Sequence, residues 1–513
     1  MFRHKVCVTL LLIAYGWNGV AHPCQDEVPE RANVPKDYAE MRDLIIENEL
    51  KARGVSGEKL TEAERRVDSY LARLRSQDLS IVRELQRSRR IIAHNRIIRT
   101  RPLYQCFLQM PKGAVLHAHA GAIQDLHWLV DTAVGHPECY IYRPNPGEQS
   151  ELDGCFRLAT KTPSDMRWQL VANLRTQSGD PVRFDQRLYE SLTLGIEDQG
   201  VESIWDEFER CWRRVCSLSD HPSIYRDFYR RELETVAKAN VQHLELRTFL
   251  DFPYEENQPV PPAKALLQLQ ALHQDMKRTY PTFRFRVIYS RSRSDSQPKI
   301  ERYLTEAVEL RKQFPHLVSG FDLVGHEEDG RSLLNLVPLF LQAKRRAELD
   351  GTTLPLFLHA GETANRGFGN IVDAVLLNTA RIGHGLSLMD HPVLRTRIKE
   401  QSIPIEICPF SSFVLGNISD VSQHPGRTWY RDGIKICINP DDPGLMGCDL
   451  TLDWYLVFVT WQLSLAELKE LAKNGIHASS LPEEERSEVL LEWEQRWNEW
   501  IEAVDRDAQS LVP

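Results

Sequence analysis

The chain has 513 residues, 42% of them hydrophobic and 26% charged, a balance that excludes a disordered, fibrous or collagen-like protein and suffices for a large core. A formal net charge of -9 argues against a general nucleic-acid binder, which carries a basic excess to meet phosphates. A small-molecule enzyme fits this composition better.

Residues 1–21, MFRHKVCVTLLLIAYGWNGVA, place Arg3 and Lys5 before a short apolar stretch and end on Gly19-Val20-Ala21, the pattern of a secretory signal. No later segment reaches about 18 uncharged apolar residues, so the expected product is secreted, extracellular and without a membrane span. Of ten cysteines, nine remain once Cys7 is removed, and this odd number leaves at least one free or paired between chains.

Residues 22–105 read as an N-terminal helical arm, with Leu71, Leu74, Val82 and Leu85 on one face. The run from Arg87 to Arg101 is basic enough for a glycosaminoglycan patch, although a basic run on a helix is more commonly a solvated face. From residue 106 to the end, eight apolar runs alternate mostly with helix-length segments: GAVLHAHA, VQHLELRT, RFRVIYSR, VSGFDLVG, LPLFLHAGE, ARIGHG, IPIEICPFS and IKICINPDDP. This pattern predicts an α/β fold, a (β/α)8 TIM-type barrel, with its chemistry at the carboxyl ends of the strands. The rival open doubly wound sheet lacks a Gly-rich phosphate turn after its first strand.

The connection after the first run is far too long for one helix and predicts a small inserted domain over residues 128–184. Within it, Cys139 and Cys155 flank the Pro/Gly/polar stretch RPNPGEQSELDG and are the best disulfide pair, worth roughly 3 kcal/mol in the chain-entropy picture. Asn417-Ile418-Ser419 is a glycosylation sequon, usable if its loop is exposed. At the end of the chain, Leu490, Trp493, Trp497, Trp500 and Val504 share a helical face and read as core packing.

The chemistry concentrates at four of the run ends. In a strand, alternate side chains share a face, so His117 and His119 can reach one ion, although an isolated pair is more often two core histidines. His359-Ala360-Gly361-Glu362, Gly383-His384-Gly385 and Asp441-Asp442-Pro443 change those odds. Three histidines and an aspartate, His117, His119, His359 and Asp441, make a ligand set for one zinc with an open position for water. Glu362 lies three residues past a ligand, where a general acid/base belongs, and His384 is placed to orient or deprotonate a water.

The motifs HAHA, GFDLVGHE, LHAGET, RIGHG and NPDDP, in this order, resemble those of the adenosine deaminases. The leader, the helical arm, the cysteine-flanked insertion and MPKG make the chain similar to the secreted branch, the adenosine deaminase-related growth factors, over about residues 30 to 505. The resemblance implies one zinc per chain on the four residues above, with Glu362 donating a proton to purine N1 and His384 holding the attacking hydroxide. It further implies that Asp442 bonds N7, the Gly325 N–H meets N3, and Trp205 closes over the substrate, although a helix-face core tryptophan is an equal reading of Trp205. The implied reaction turns adenosine, deoxyadenosine or a related purine nucleoside into inosine and ammonia, and by lowering extracellular adenosine it acts as a growth signal. A homodimer built through the arm, and a cell-surface receptor, are implied partners.

Three positions depart from the family pattern. Ala120 stands where the family has a ribose-binding aspartate, Arg183 aligns loosely with an acidic ribose-side contact, and Ser412 replaces an asparagine. These losses touch sugar recognition and leave the proposed metal and proton-transfer groups intact. They keep open a deaminase of a different purine nucleoside, or a weak or inactive nucleoside-binding growth factor. A dinuclear barrel hydrolase would need a bridging lysine or carboxylate, and GFDLVGHE has no lysine.

Overall fold

The computed structural model describes residues 37–38, 40–42, 44–45, 60–88, 95–144, 154–194, 204–251, 254–255, 258–363 and 369–510. The signal segment, residues 89–94 of the basic run and most of RPNPGEQSELDG lie outside them. Two units are distinguished, 1–49 and 50–513; in the first, the described residues between 37 and 45 are helical.

In the second unit all eight apolar runs contain a strand. They are β1 (Gly113–His119), β2 (Val241–Thr248), β3 (Arg284–Ser292), β4 (Val318–Val324), β5 (Phe357–Ala360), β6 (Arg381–His384), β7 (Ile405–Ile407) and β8 (Ile436–Ile438). β1 to β4 pair in sequence order as one parallel sheet and β5 to β8 as another. Each seam between them carries a parallel bridge, Phe321 to Leu356 on one side and Ala118 to Asp441 on the other. The strands are parallel because helices such as Pro262–Met276, Gln297–Gln313 and Leu333–Leu349 return the chain between them. β2 illustrates the two faces: all eight residues are buried, yet Glu245 and Arg247 on one side make ion pairs while Leu244 and Leu246 alternate with them.

Helix α1 (Glu62–Arg87) is fixed at its start by a capping box between Thr61 and Glu64. Its apolar face, Val67, Leu71, Leu74 and Val82, is buried in the same chain. The C-terminal helix, Glu483–Ser510, packs along it: Arg66 pairs with Asp505 at 2.6 Å, and the Trp497 indole donates to Glu64 at 2.9 Å. The apolar surface that suggested a detachable dimerisation arm is therefore spent internally over this helix. Trp493, Trp497 and Trp500 are core residues, as their spacing implied. Of the basic run, Arg99 pairs with Asp449 at 3.1 Å and Arg101 with Asp78 at 2.6 Å, so part of its charge is neutralised inside the fold.

The long connection after β1 carries a three-stranded antiparallel sheet, Phe156–Leu158, Cys139–Tyr142 and Trp168–Leu170 in spatial order. The expected Cys139–Cys155 bridge is corrected here. Cys139 stands opposite Leu158, while the Cys155 carbonyl accepts from the N–H of Tyr142. The two cysteines thus sit three positions apart along the ladder, about 10 Å at the usual strand rise and beyond the roughly 7 Å Cα limit for a bridge. Both are free thiols, and hydrogen bonds of the small sheet close the insertion. Asn417 follows the helix Pro409–Val414 with its Nδ2 buried, so a glycan there would require the turn to open.

If α1 is core, Leu71→Ala should destabilise the protein by about 2 to 5 kcal/mol, the range for a fully buried leucine. Urea unfolding checks this; a loss under about 0.5 kcal/mol, as at an exposed site, would show that α1 is a peripheral appendage.

Candidate functional site

β1 places His117 and His119 on one face, and their Nε2 atoms lie 3.4 Å apart. β5 adds His359, and the ligand nitrogens of all three lie within 4.8 Å of one another. Asp441, just past β8, brings its Oδ1 to 3.2 Å from both His117 Nε2 and His119 Nε2. That oxygen is buried and makes no well-formed hydrogen bond. Buried acceptors are nearly always satisfied, so an unsatisfied carboxylate oxygen among three imidazole nitrogens fits a cation. Imidazole and carboxylate donors in this number suit zinc.

The other ring nitrogens are already committed. His117 Nδ1 lies 2.8 Å from Glu406, and His359 Nδ1 lies 2.7 Å from Asp322, which leaves both Nε2 atoms for the centre. Between the two carboxylates sits Arg247, pairing with Asp322 and with Glu406 at 2.7 Å each and donating to the Leu116 carbonyl at 2.7 Å. Arg381 binds the second oxygen of Glu406 and reaches Glu245 at 2.7 Å. Despite burial, Arg247 and Arg381 hold the Glu406 carboxyl well below the ordinary range, so it remains an acceptor for His117.

Glu362 occupies the turn after β5, nearly closed to solvent, 3.6 Å from His384 Nε2. Burial, with the nearby charge of Asp441, pushes its carboxyl well up, toward the proton-bearing form. Burial drives His384 well down and keeps it neutral. Asp442 is raised well above the ordinary range by burial and by Asp441 beside it, and its Oδ1 has no hydrogen-bond partner. The turn bearing Glu362 is held by Glu327, which accepts from the N–H groups of Gly361 at 2.8 Å and Glu362 at 2.7 Å. Next to His384, a β-carbon on Gly383 would approach His117 Cε1 to 3.0 Å and the His359 Cα to 3.3 Å, so a side chain there would push on two of the histidines.

His119, His359, Glu362, His384 and Asp441 line a cavity of about 410 Å³ together with Ala120, Trp205, Gly325 and Asp442, and His117 adjoins it through His119 and Asp441. Every residue expected to act is thus in one place. Arg183 is not: it is exposed on the helix Pro181–Leu192 and lies outside this lining, so the loose alignment that put it near the sugar does not hold. Ser412 is buried and turned back onto the Cys408 carbonyl at 2.9 Å. Asp322, Glu406, Arg247 and Glu327 escaped the motif reading. For the first three the signal was a charged residue inside an apolar run, as in GFDLV, IPIEIC and HLELRT.

A parallel α/β fold carrying a three-histidine, one-aspartate cluster, a carboxyl raised by burial and a neutral imidazole in one place has the equipment of a metal-assisted hydrolase. A family model, "Adenosine deaminase", matches residues 164–495. Adenosine deaminase 2 of Homo sapiens is 34% identical over 427 residues, covering 80% of this chain and 82% of that protein, and adenosine deaminase 2 of Dictyostelium discoideum is 30% identical over 412 residues, 78% and 75%. Among solved structures, the N6-methyl-AMP deaminase of Arabidopsis thaliana superposes with TM-score 0.56 at 19% identity, covering 76% of this chain and 98% of that one. An amidohydrolase from Burkhoderia ambifaria with bound Zn gives TM-score 0.53 at 21% identity, covering 78% and 94%. At these identities the solved structures support the fold. The chain belongs to the adenosine deaminase family, and it is an enzyme, a hydrolase of that family.

The carboxylates behind the histidines should matter to metal binding. Asp322→Ala and Glu406→Ala should each weaken zinc affinity by about 10- to 100-fold, measured by competition with a chelator. Unchanged affinity in both would show that these contacts do not orient the ligands.

Proposed function

We propose that this protein is a secreted, zinc-dependent deaminase that converts adenosine, or a closely related purine nucleoside, into inosine and ammonia. The carrying observation is the convergence of His117, His119, His359 and Asp441 beside Glu362, whose carboxyl burial raises, and a neutral His384. The scaffold in this reading is a closed (β/α)8 barrel, supported by the parallel bridge at each seam.

A zinc ion held by the four ligands would supply Lewis-acid activation of a water. The chain's own groups do the rest. Glu362 donates its proton to purine N1, which makes C6 electrophilic, and His384, neutral through burial, accepts the proton shed by the attacking water. Asp442, whose carboxyl burial pushes well up, donates to N7; the Gly325 N–H meets N3 from the cavity wall. The water oxygen bonds to C6; His384 then passes its proton to the amino nitrogen, the bond from C6 to that nitrogen breaks, ammonia leaves, and the C6 hydroxyl proton returns to Glu362 as the carbonyl forms.

The relatives named adenosine deaminase 2 and the expected leader support an extracellular site of action, where removal of adenosine would act as a growth signal. A receptor or glycosaminoglycan partner belongs to the same reading. So does a homodimer, which now rests on residues outside α1; Tyr38, Met41, Leu44 and Ile45 are exposed and apolar. A nucleoside-binding growth factor without catalysis is the second reading, favoured by the bare methyl group of Ala120 in the cavity wall.

Glu362→Gln keeps the shape and removes the transferable proton. Adenosine turnover, followed by ultraviolet absorbance, should fall by roughly 10²-fold or more while metal analysis still finds about one zinc per chain. Near-normal turnover would assign the proton to another group, and a folded wild type inactive with zinc present would favour the binding-only reading.

A further inference from the structure

One wall of the cavity comes from a single helix. In α2 (Ile204–Ser219) the side chains of Trp205, Glu209, Trp212 and Cys216, with Asp220 just past its end, recur at spacings of three or four residues, and all line the cavity. This stripe faces the loop after β1. A β-carbon on Gly121 would come within 3.0 Å of the Trp212 ring and 3.9 Å of Cys216 Sγ, so the helix is pressed against the stretch that carries Ala120. The Asp220 N–H donates to the Cys216 carbonyl at 3.2 Å, which sets the aspartate one turn further along. Ala120 offers the substrate a methyl group, while the helix beside it offers a carboxyl.

That carboxyl is not committed to a cation. The Ser219 hydroxyl lies 3.2 Å from its Oδ1, and its charged neighbours are the acids Glu232 and Asp251. Glu232 is engaged by the N–H groups of Gly121 and Ile123, and Asp251 by Arg291. Among the described lining residues, the arginines Arg213 and Arg247 already face acids, Glu209 for the first and Asp322 and Glu406 for the second. The acids around Asp220 also differ from those around Glu362, whose neighbours include Asp441, Glu327 and Asp322. The two carboxyl groups serve different parts of one cavity.

We propose that Asp220 is a specificity-determining residue of this site: it hydrogen-bonds a hydroxyl of the substrate's sugar. The proposal rests on the deaminase reading above. Burial keeps the carboxyl well above the ordinary range, which lets it meet a hydroxyl as donor or acceptor.

The test measures kcat and KM of the zinc-loaded enzyme with adenosine, 2′-deoxyadenosine, 3′-deoxyadenosine and 5′-deoxyadenosine, for wild type, Asp220→Asn, Asp220→Ala and Ala120→Asp/Asp220→Ala. Asp220→Ala should raise KM for adenosine by about tenfold, the effect of one hydrogen bond, and by more than kcat falls. It should leave KM nearly unchanged for the one deoxy analogue that lacks the contacted hydroxyl. Asp220→Asn, which keeps a hydrogen-bonding group, should lose less than Asp220→Ala, and the added aspartate in the double variant should recover KM for adenosine. An unchanged KM for adenosine in Asp220→Ala, or equal losses on every analogue, would each overturn the proposal. A wild type active on none of the purines would instead fail the deaminase reading on which it stands.

Discussion

Arg247 is the constraint on which the site depends. Its guanidinium, almost wholly removed from solvent, pairs with Asp322 from β4 and Glu406 from β7 and caps carbonyls of Leu116 and Phe357 from β1 and β5. One side chain on β2 therefore ties together four other strands. Its two carboxylate partners are the ones that grip His117 and His359, so the position of the metal-facing nitrogens is set by an ion network beneath them. Such buried pairs are a poor source of net stability, because taking each ion from water costs several kcal/mol. Their return here is geometry: imidazoles that cannot rotate and whose tautomers are fixed.

Backbone and burial complete what the network begins. His384 and Asp441 adopt left-handed backbone, with φ of 61° and 60°, where residues other than glycine are uncommon and strained by about 1 to 3 kcal/mol. Both sit at strand ends, where the strain turns an imidazole and a carboxylate into the cavity. Burial then biases protonation. It raises Glu362 and Asp442 toward their proton-bearing forms and lowers His384 toward its neutral one.

The eight strands were legible because their runs are short, apolar and β-branched, and the ligand set was legible because H-x-H, HAGE, GHG and DDP each close such a run. The orienting shell was not, since Arg247, Asp322 and Glu406 lie far apart in sequence and only pairing of the strands brings them together. The fate of α1 was hidden for a similar reason. An amphipathic helix shows that it has a partner but not which one, and here the partner is more than 400 residues away in the same chain, as the Arg66–Asp505 pair records. The Cys139–Cys155 expectation failed on register, which loop composition does not specify. Asp220 passed unnoticed because nothing in CSLSDHP sets it apart from a solvated helix end.

The central claim is that four side chains, two of them held by the Arg247 network, converge on one zinc. Anomalous diffraction at the zinc edge, from crystals of the zinc-loaded protein, tests it most directly. The account predicts one strong peak within about 2.0 to 2.2 Å of the Nε2 atoms of His117, His119 and His359 and of an Asp441 carboxylate oxygen. A well-ordered cavity with no peak, or a zinc bound elsewhere by other residues, would contradict it.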